Sequence, residues 1–410
     1  MGREILHINQ GNQSRKYYYD ARGNITKFVD FSGKAKEYQY DSDNHLTQIK
    51  APENTINYTY DFSGRRTTMQ DSQGTTRYTY DPTDGSLTTL TYPDGTKIEY
   101  SYNTQVRTGY TLVSPNGSAT QIQGNLDELN RVKDLEVSSK SGAAAALAAT
   151  PGDKISFEYG SNKLLKRQTT DSGTGIVYSY KGYDLSGVSV EQGKNQKQQF
   201  NYQYDNNKNI ISRTQNQITD SFDYDPLNRI QKESTKENTR TYSYDNKGNR
   251  INVEGSKISG MQNAEYTFDS LDHLTGVKGE GKEVSYRYNG DGLLYERKEK
   301  DKQIRYYYDE EAKLIAEAEV KPDGSPKLLY VYIYDLGGQL WAHKDKITGA
   351  MQYYQFNGHG DVIGLTDSKG TELTDIPMTS GGTRKIPKKR FPISSDILEN
   401  TGMRLPDFSI

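Results

Sequence analysis

The chain contains no cysteine. That excludes disulfide staples, thiolate metal sites and thiol nucleophiles, and it fits a secreted chain of Gram-positive type as well as a cytosolic one. Tryptophan occurs once, as Trp341, and histidine five times in 410 residues. No run approaches the ~18 consecutive apolar residues of a membrane span. The opening Met1-Gly2-Arg3-Glu4-Ile5-Leu6-His7 has no apolar signal region, and Gly2 is not followed by Ser or Thr at the myristoylation spacing. A net charge of -2 leaves no basic footprint for nucleic acid. Apolar residues make up only 32%, with a mean hydropathy of -0.93, against roughly 45–50% in an ordinary globular domain. Disorder would also require few aromatics and a high net charge. Aromatics stand at 11%, so a folded chain is expected.

Motifs for chemistry are equally scarce. His45 and His273 occupy Asn44-His45-Leu46-Thr47 and Asp272-His273-Leu274-Thr275, the slot filled by Arg229 in Asn228-Arg229-Ile230, so a structural role is expected for both. No two histidines stand at metal-ligand spacing, and Asp41-Ser42-Asp43-Asn44 lacks the Gly and distal Glu of a calcium loop. Gly-x-Ser-x-Gly and phosphate-cradling Gly loops are missing. Neither a catalytic residue nor a metal or cofactor site is expected, and an enzyme is not expected.

Tyrosine is what the chain has in abundance: 34 residues against 10 phenylalanines. A buried Tyr needs a partner for its hydroxyl and favours places with one apolar and one wet end. The excess predicts a thin wall with water near both faces rather than a dense apolar core. The tyrosines recur in register. Tyr19-Asp20, Tyr40-Asp41, Tyr60-Asp61 and Tyr80-Asp81 follow one another at intervals of 21, 20 and 20, with a weaker Tyr102-Asn103 behind them. In Tyr58-Thr59-Tyr60 the period of two puts both rings on one side of a strand. Asp61 then opens a turn by accepting local N–H groups, and Gly64 supplies its positive-φ position. A second alternating run and a second turn complete the unit, giving a continuous antiparallel meander. The pattern restarts at Phe157-Glu158-Tyr159. It runs through Tyr180, Tyr204-Asp205, Tyr224-Asp225, Tyr244-Asp245 with Gly248, Phe268-Asp269, Tyr288-Asn289, Tyr308-Asp309, Tyr334-Asp335 and Phe356-Asn357. Conventional helices find no room, so the fold is all-β.

Between the blocks the register fades. Leu126-Asp127-Glu128-Leu129-Asn130-Arg131-Val132 reads as a worn unit, and the Ala-rich run from Gly142 to Gly152 as a surface loop or one to three helical turns. The expected organisation is a first repeat block over 1–103, a degenerate repeat with the Ala-rich insertion over 104–154, and a second block over 155–352. A distinct segment covers 353–374, and residues 375–410 form an unstructured tail.

Tyr242-Ser243-Tyr244-Asp245-Asn246-Lys247-Gly248-Asn249-Arg250 resembles the YD repeat of Rhs, wall-associated and teneurin-like proteins, and the likeness recurs from about Gly11 to Thr374. The run from Tyr353 through Phe356-Asn357-Gly358-His359-Gly360-Asp361 to Asp367 resembles the opening of the Rhs-associated core. The resemblance implies a long antiparallel sheet that spirals into a partial hollow shell. In bacterial polymorphic toxins such a shell encloses a C-terminal toxin, often released by an Asp-dependent self-cleavage. Expected partners are therefore the remaining N- and C-terminal parts of the shell and an encapsulated toxin polypeptide. The parent protein would be secreted or held at the cell surface or wall. A cell-surface adhesion or glycan-binding module is the alternative, since Tyr ladders can stack on sugars. The choline-binding repeat type, which leans on Gly-Trp pairs, fits a chain with one Trp poorly.

After Thr374 the repeat disappears. Shifting the frame by two nucleotides, so that each codon joins the third base of one residue to the first two of the next, restores it. Residues 375–382 then permit Tyr-Thr-Tyr-Asp-Ile-Trp-Gly, with Met378-Thr379 forcing the Asp. Residues 391–408 permit Pro-Asn-Ile-Phe-Arg-Tyr-Ser-Gly-Glu-Tyr-Trp-Asp-Glu-Ala-Thr-Gly-Leu. The tail is expected to be out-of-frame translation, and the chain a fragment that starts inside the array and lacks the end of the core, any self-cleaving Asp and any toxin.

Overall fold

A computed structural model describes residues 5–8, 14–30, 33–142, 148–171, 173–192, 195–215, 217–236, 239–244, 250–254, 265–279, 282–356 and 362–375. Among the described residues there is no helix. Strands pair antiparallel with their sequence neighbours in two sheets, one of 23 strands from Leu6–Ile8 to Arg250–Glu254 and one of 11 strands from Glu265–Phe268 to Glu372–Asp375. Of the Ala-rich run, residues 143–147 lie outside the described residues, and the rest departs from the loop or helical turns expected of it. A strand, Ala148–Tyr159, begins inside it. Its second half, from Ile155 to Tyr159, pairs with Leu165–Thr170.

Each hairpin repeats one construction. Thr55–Tyr60 lies against Arg66–Asp71 with Tyr58 opposite Met69 and Thr59 opposite Thr68, but Tyr60 opposite Arg66, so Thr67 is an extra residue. The same shift falls at the second ring of the motif at Tyr19, Tyr40, Tyr80, Tyr204, Tyr224, Tyr288 and Tyr308. A bulge of this kind bends the strand and adds twist. Here it aims the second Tyr along the sheet toward the preceding hairpin. In the turn that follows, the Asp61 N–H donates to the Arg65 carbonyl and the Gly64 N–H to the Asp61 carbonyl, at 2.9 and 3.0 Å. Gly64 has φ +76°. Elsewhere the left-handed position is held by Asn44, Asn228, Lys208 and even Ala312, at φ between 58° and 69°. Such a backbone costs a non-glycine residue about 1–2 kcal/mol, which the aspartate's own hydrogen bonds offset.

The chain forms two compact units. One comprises Met1–Gln121, Ser139–Leu147 and Met261–Val331, and the other Ile122–Ser138, Ala148–Gly260 and Tyr332–Ile410. The first unit draws on both repeat blocks, and the second on the degenerate stretch and the second block. In the first unit, strands near the start alternate: Ile56 and Tyr58 are buried while Thr55 and Thr59 face solvent. Ile98, Leu112 and Met69 are at most 2% exposed. Later strands are covered on both faces, with Tyr295, Glu296 and Arg297 buried in succession and Ile304 to Tyr307 likewise. The second unit holds a cluster of Ile176, Val188, Phe200, Tyr202, Ile210 and Phe222, and Trp341, Ala342, His343 and Lys344 are consecutively buried. The wall is therefore not wet on both sides. The sequence-based reading overlooked a partner for the tyrosine hydroxyl other than water.

Candidate functional site

That partner is the backbone of the neighbouring repeat. The Tyr60 hydroxyl donates to the Leu46 carbonyl at 2.8 Å, Tyr40 to Ile25 at 3.1 Å and Tyr80 to Arg66 at 2.9 Å. Tyr102, Tyr159, Tyr180, Tyr204 and Tyr224 reach back to Leu87, Val132, Leu165, Leu185 and Ile210 in the same way. Each acceptor lies in the strand that leaves the previous turn, so the second Tyr of the motif ties hairpin to hairpin. A net hydrogen bond of this type is worth about 1 kcal/mol. Phenylalanine would bury as well and tie nothing.

The turn aspartate has two tasks, one for each oxygen. Asp61 Oδ1 accepts the N–H groups of Ser63 and Arg65 at 2.9 and 3.0 Å, while Oδ2 takes Arg65 Nε at 2.7 Å. Asp41 does the same with His45, Asp205 with Asn209, Asp225 with Arg229 and Asp20 with Asn24. Asp81 caps Thr83, and Asp335 takes the Gln339 N–H and the Trp341 indole. The Arg65 side chain's hydrogen bond comes first among the contacts that hold the Asp61 carboxyl below its ordinary range, and the Asn209 amide is foremost for Asp205. The residue four after the aspartate then meets the next repeat. The His45 ring stacks on Tyr60 at 4.8 Å, His273 on Tyr288 at 4.6 Å, and Arg65 lies over Tyr80 at 4.6 Å. A Cβ on Gly64 would stand 2.7 Å from His45 Nε2, so a side chain there would have to displace the imidazole as well as take up a left-handed φ.

Of the signature residues, Tyr19, Asp20, Tyr40, Asp41, Tyr60, Asp61, Gly64, Tyr80, Asp81, Tyr204, Asp205, Tyr224 and Asp225 thus stand in one repeated frame. Tyr308, Asp309, Tyr334 and Asp335 occupy the same motif positions, with Asp309 and Tyr334 buried and Tyr308 and Asp335 half-buried. Tyr244 ends the strand Thr239–Tyr244, while Asp245 and Gly248 lie outside the described residues, as do residues 376–410. Tyr58, Tyr78 and Tyr100 are at most 9% exposed, whereas Tyr18 and Tyr183 are 48% and 81% exposed.

Sequence reasoning missed a second construction in the first unit, a seam where early hairpins meet late ones. Early hairpins dock on the Tyr-Asp turns of late repeats, with partners 211 to 232 residues apart. Glu53 accepts the Ser270 N–H and hydroxyl. Asp71 Oδ2 accepts the Gly290 N–H at 2.7 Å, and the Tyr58 hydroxyl donates to the Gly290 carbonyl at 2.9 Å. Arg66 grips Asp291 in bidentate fashion at 2.6 and 3.0 Å. The Tyr92 hydroxyl takes the Tyr308 N–H at 2.6 Å and donates to its carbonyl, and Asp94 accepts Arg305 Nη1 and the Tyr307 hydroxyl, both at 2.7 Å. Arg305 in turn holds the buried Glu296 through two bonds at 2.8 and 2.6 Å. The seam holds a half-open pocket of about 230 Å³ lined by Arg66, Tyr78, Tyr92, Asp291, Asp309 and Glu310 among others. Nothing local in the sequence marks these partners beyond the Pro93-Asp94-Gly95 turn.

The second unit has its own long-range ties. Lys344 Nζ meets Asp153 Oδ2 at 2.5 Å with both side chains nearly inaccessible, and Trp341 packs on Phe157 at 5.3 Å. His343 is fully buried between Tyr332 and Tyr354, and burial drops its pKa to about 4. Among the described residues no three His, Cys, Asp or Glu side chains converge as a metal cluster, and no helix is long and apolar enough to cross a membrane.

Comparison with known proteins agrees with this geometry. Residues 154–383, more than half of the chain, match the teneurin YD-shell family. The tRNA3(Ser)-specific nuclease WapA of Bacillus spizizenii is 26% identical over 304 residues, covering 70% of this chain and 11% of that protein. The tRNA(Glu)-specific nuclease WapA of Bacillus subtilis subsp. natto is 30% identical over 156 residues, 37% of this chain and 6% of that one. The chain therefore spans about a tenth of the length of the relatives it matches. Among solved structures, TcdB2-TccC3 superposes with a TM-score of 0.72 at 14% identity, covering 92% of this chain and 25% of that one. TcdB2-TccC3-TEV gives 0.69 at 13%, with 92% and 24% covered.

Proposed function

Because the chain belongs to the teneurin YD-shell family, we propose that it is a length of wall: a non-enzymatic scaffold from an Rhs-type toxin-delivery protein that encloses and presents a C-terminal toxin. The observation that carries this reading is the employment of the signature side chains. Among the described residues the Tyr-Asp pairs tie one hairpin to the previous one or close their own turn. A wall of this type is useful for what it surrounds. Relatives named as tRNA nucleases support a nucleic-acid-cleaving cargo elsewhere in the parent polypeptide, since the matched stretch is 11% of such a relative. The parent would act outside the producing cell, secreted or at the cell surface.

The test is a competition assay. The gene, cloned with its flanking DNA and expressed in one strain, should depress the survival of a co-cultured strain lacking it. Deleting the sequence downstream of the repeats should abolish the effect while the repeat region is still made. Equal survival of both strains, with no effector-like sequence downstream, would count against the reading.

A further inference from the structure

One turn of the seam differs from the others. Asp309 closes its Tyr-Asp turn as its counterparts do, accepting the N–H groups of Glu311 and Lys313 at 3.0 and 2.8 Å. In the undocked turns the same carboxylate lies at the surface, and in several the residue four positions on supplies a cation, as Arg65 does for Asp61. Asp309 is 8% exposed and has no ion pair among the described residues. The groups around it add to the imbalance. On its own turn stand Glu310, Glu311 and Lys313, with Lys313 bonded to Glu311. From the early hairpins come Arg107, engaged by Glu310 at 2.5 Å and Glu311 at 3.7 Å, and the rings of Tyr92 and Tyr100. Arg66, across the pocket, is taken by Asp291. Three carboxylates thus share two cations, and Asp309 is the one left over.

We propose that Asp309 is a proton-operated latch in the seam: gaining a proton, it tightens the docking of the 309–312 turn on the early hairpins, and losing it, it loosens that docking. The preceding docked repeat carries the neutral form of the same device. Asn289 stands at the equivalent position and accepts the N–H groups of Asp291 and Leu293 at 3.1 and 2.9 Å. The turn therefore needs the side-chain oxygen but not the charge. Burial, with Glu310 adding to it, pushes the Asp309 carboxyl up to about 6. With the seam open and the group in water, it returns to its ordinary value of about 3.9. The closed state thus binds the proton more tightly. Its contribution is unfavourable above pH 6 and is relieved as pH falls toward 4, opposite in sign to Asp61, whose lowered carboxyl favours folding until acid protonates it. Between pH 7 and pH 5 the closed seam should gain roughly tenfold over the open one.

Amide hydrogen exchange reads this directly. After correction for intrinsic rates, protection of residues 87–113 and 304–313 should rise about tenfold from pH 7 to pH 5 in the wild-type chain. Asp309→Asn should hold the high protection at both pH values, and residues 205–234, remote in sequence and outside the seam, serve as the internal control. Wild-type protection that does not change with pH, or Asp309→Asn exchange with the same pH dependence as wild type, would overturn the proposal. The outcome is independent of what the parent protein encloses.

Discussion

A tyrosine hydroxyl is costly to bury unless an acceptor waits for it, and in this chain the acceptor is a carbonyl of the preceding repeat. The Tyr-rich, Phe-poor composition therefore records a coupling and not a wet surface. The residue types were legible in the sequence at the turns, where Asp61 and Gly64 did what their chemistry suggests. The reach of Tyr60 was not, because it depends on the bulge at Thr67, and no residue type announces that bulge. Replacing Tyr60 with Phe keeps the ring on His45 and removes only the bond to Leu46. We expect a loss of about 1 kcal/mol in urea denaturation, with exchange accelerated at Leu46–Lys50 and Thr55–Tyr60. Tyr60→Leu, which also forfeits the stacking, should cost more. A Tyr60→Phe variant as stable as wild type would remove the hydroxyl from the account.

At the scale of the element, hairpins were readable and their long-range company was not. Period-two runs, Asp turns and spacing near twenty locate the strands because all the determinants lie within one unit. The seam brings together turns more than two hundred residues apart, and only their shapes select the register. Gly290 is the clearest case. A Cβ there would stand 2.7 Å from Ile56 Cγ2 and 2.9 Å from the Met69 sulfur, so the docked turn admits no side chain. Gly290→Ala should destabilise the first unit by about 1–3 kcal/mol, the range for overpacking a closed contact. Met69→Ala in the same chain should recover part of the loss by opening space. If Gly290→Ala unfolds at the wild-type urea midpoint, the docking is not tight there. Double-sided burial of the later strands did leave a trace. Val331-Tyr332-Ile333-Tyr334 and Arg305-Tyr306-Tyr307-Tyr308 abandon strict alternation, and continuous apolar runs belong to strands covered on both faces.

For the whole molecule, regularity makes departures informative. In another frame residues 375–382 permit the repeat motif, with Met378-Thr379 allowing only the Asp it needs. We predict that sequencing the gene through this region finds a one- or two-base slip relative to the parental frame, followed by Tyr-Ser-Gly-Glu-Tyr and an effector-encoding stretch. A downstream frame without repeat or core character would exclude it. The central claim is that these hairpins wall off a cargo. Its most direct test is limited proteolysis of the parent polypeptide, made with the repeats and the downstream segment together. With the wall intact, the downstream segment should resist protease at concentrations that digest the same segment made alone, and it should become cleavable when Gly290→Ala and Asp94→Ala open the seam. Digestion at the same rate with and without the repeats would contradict the account.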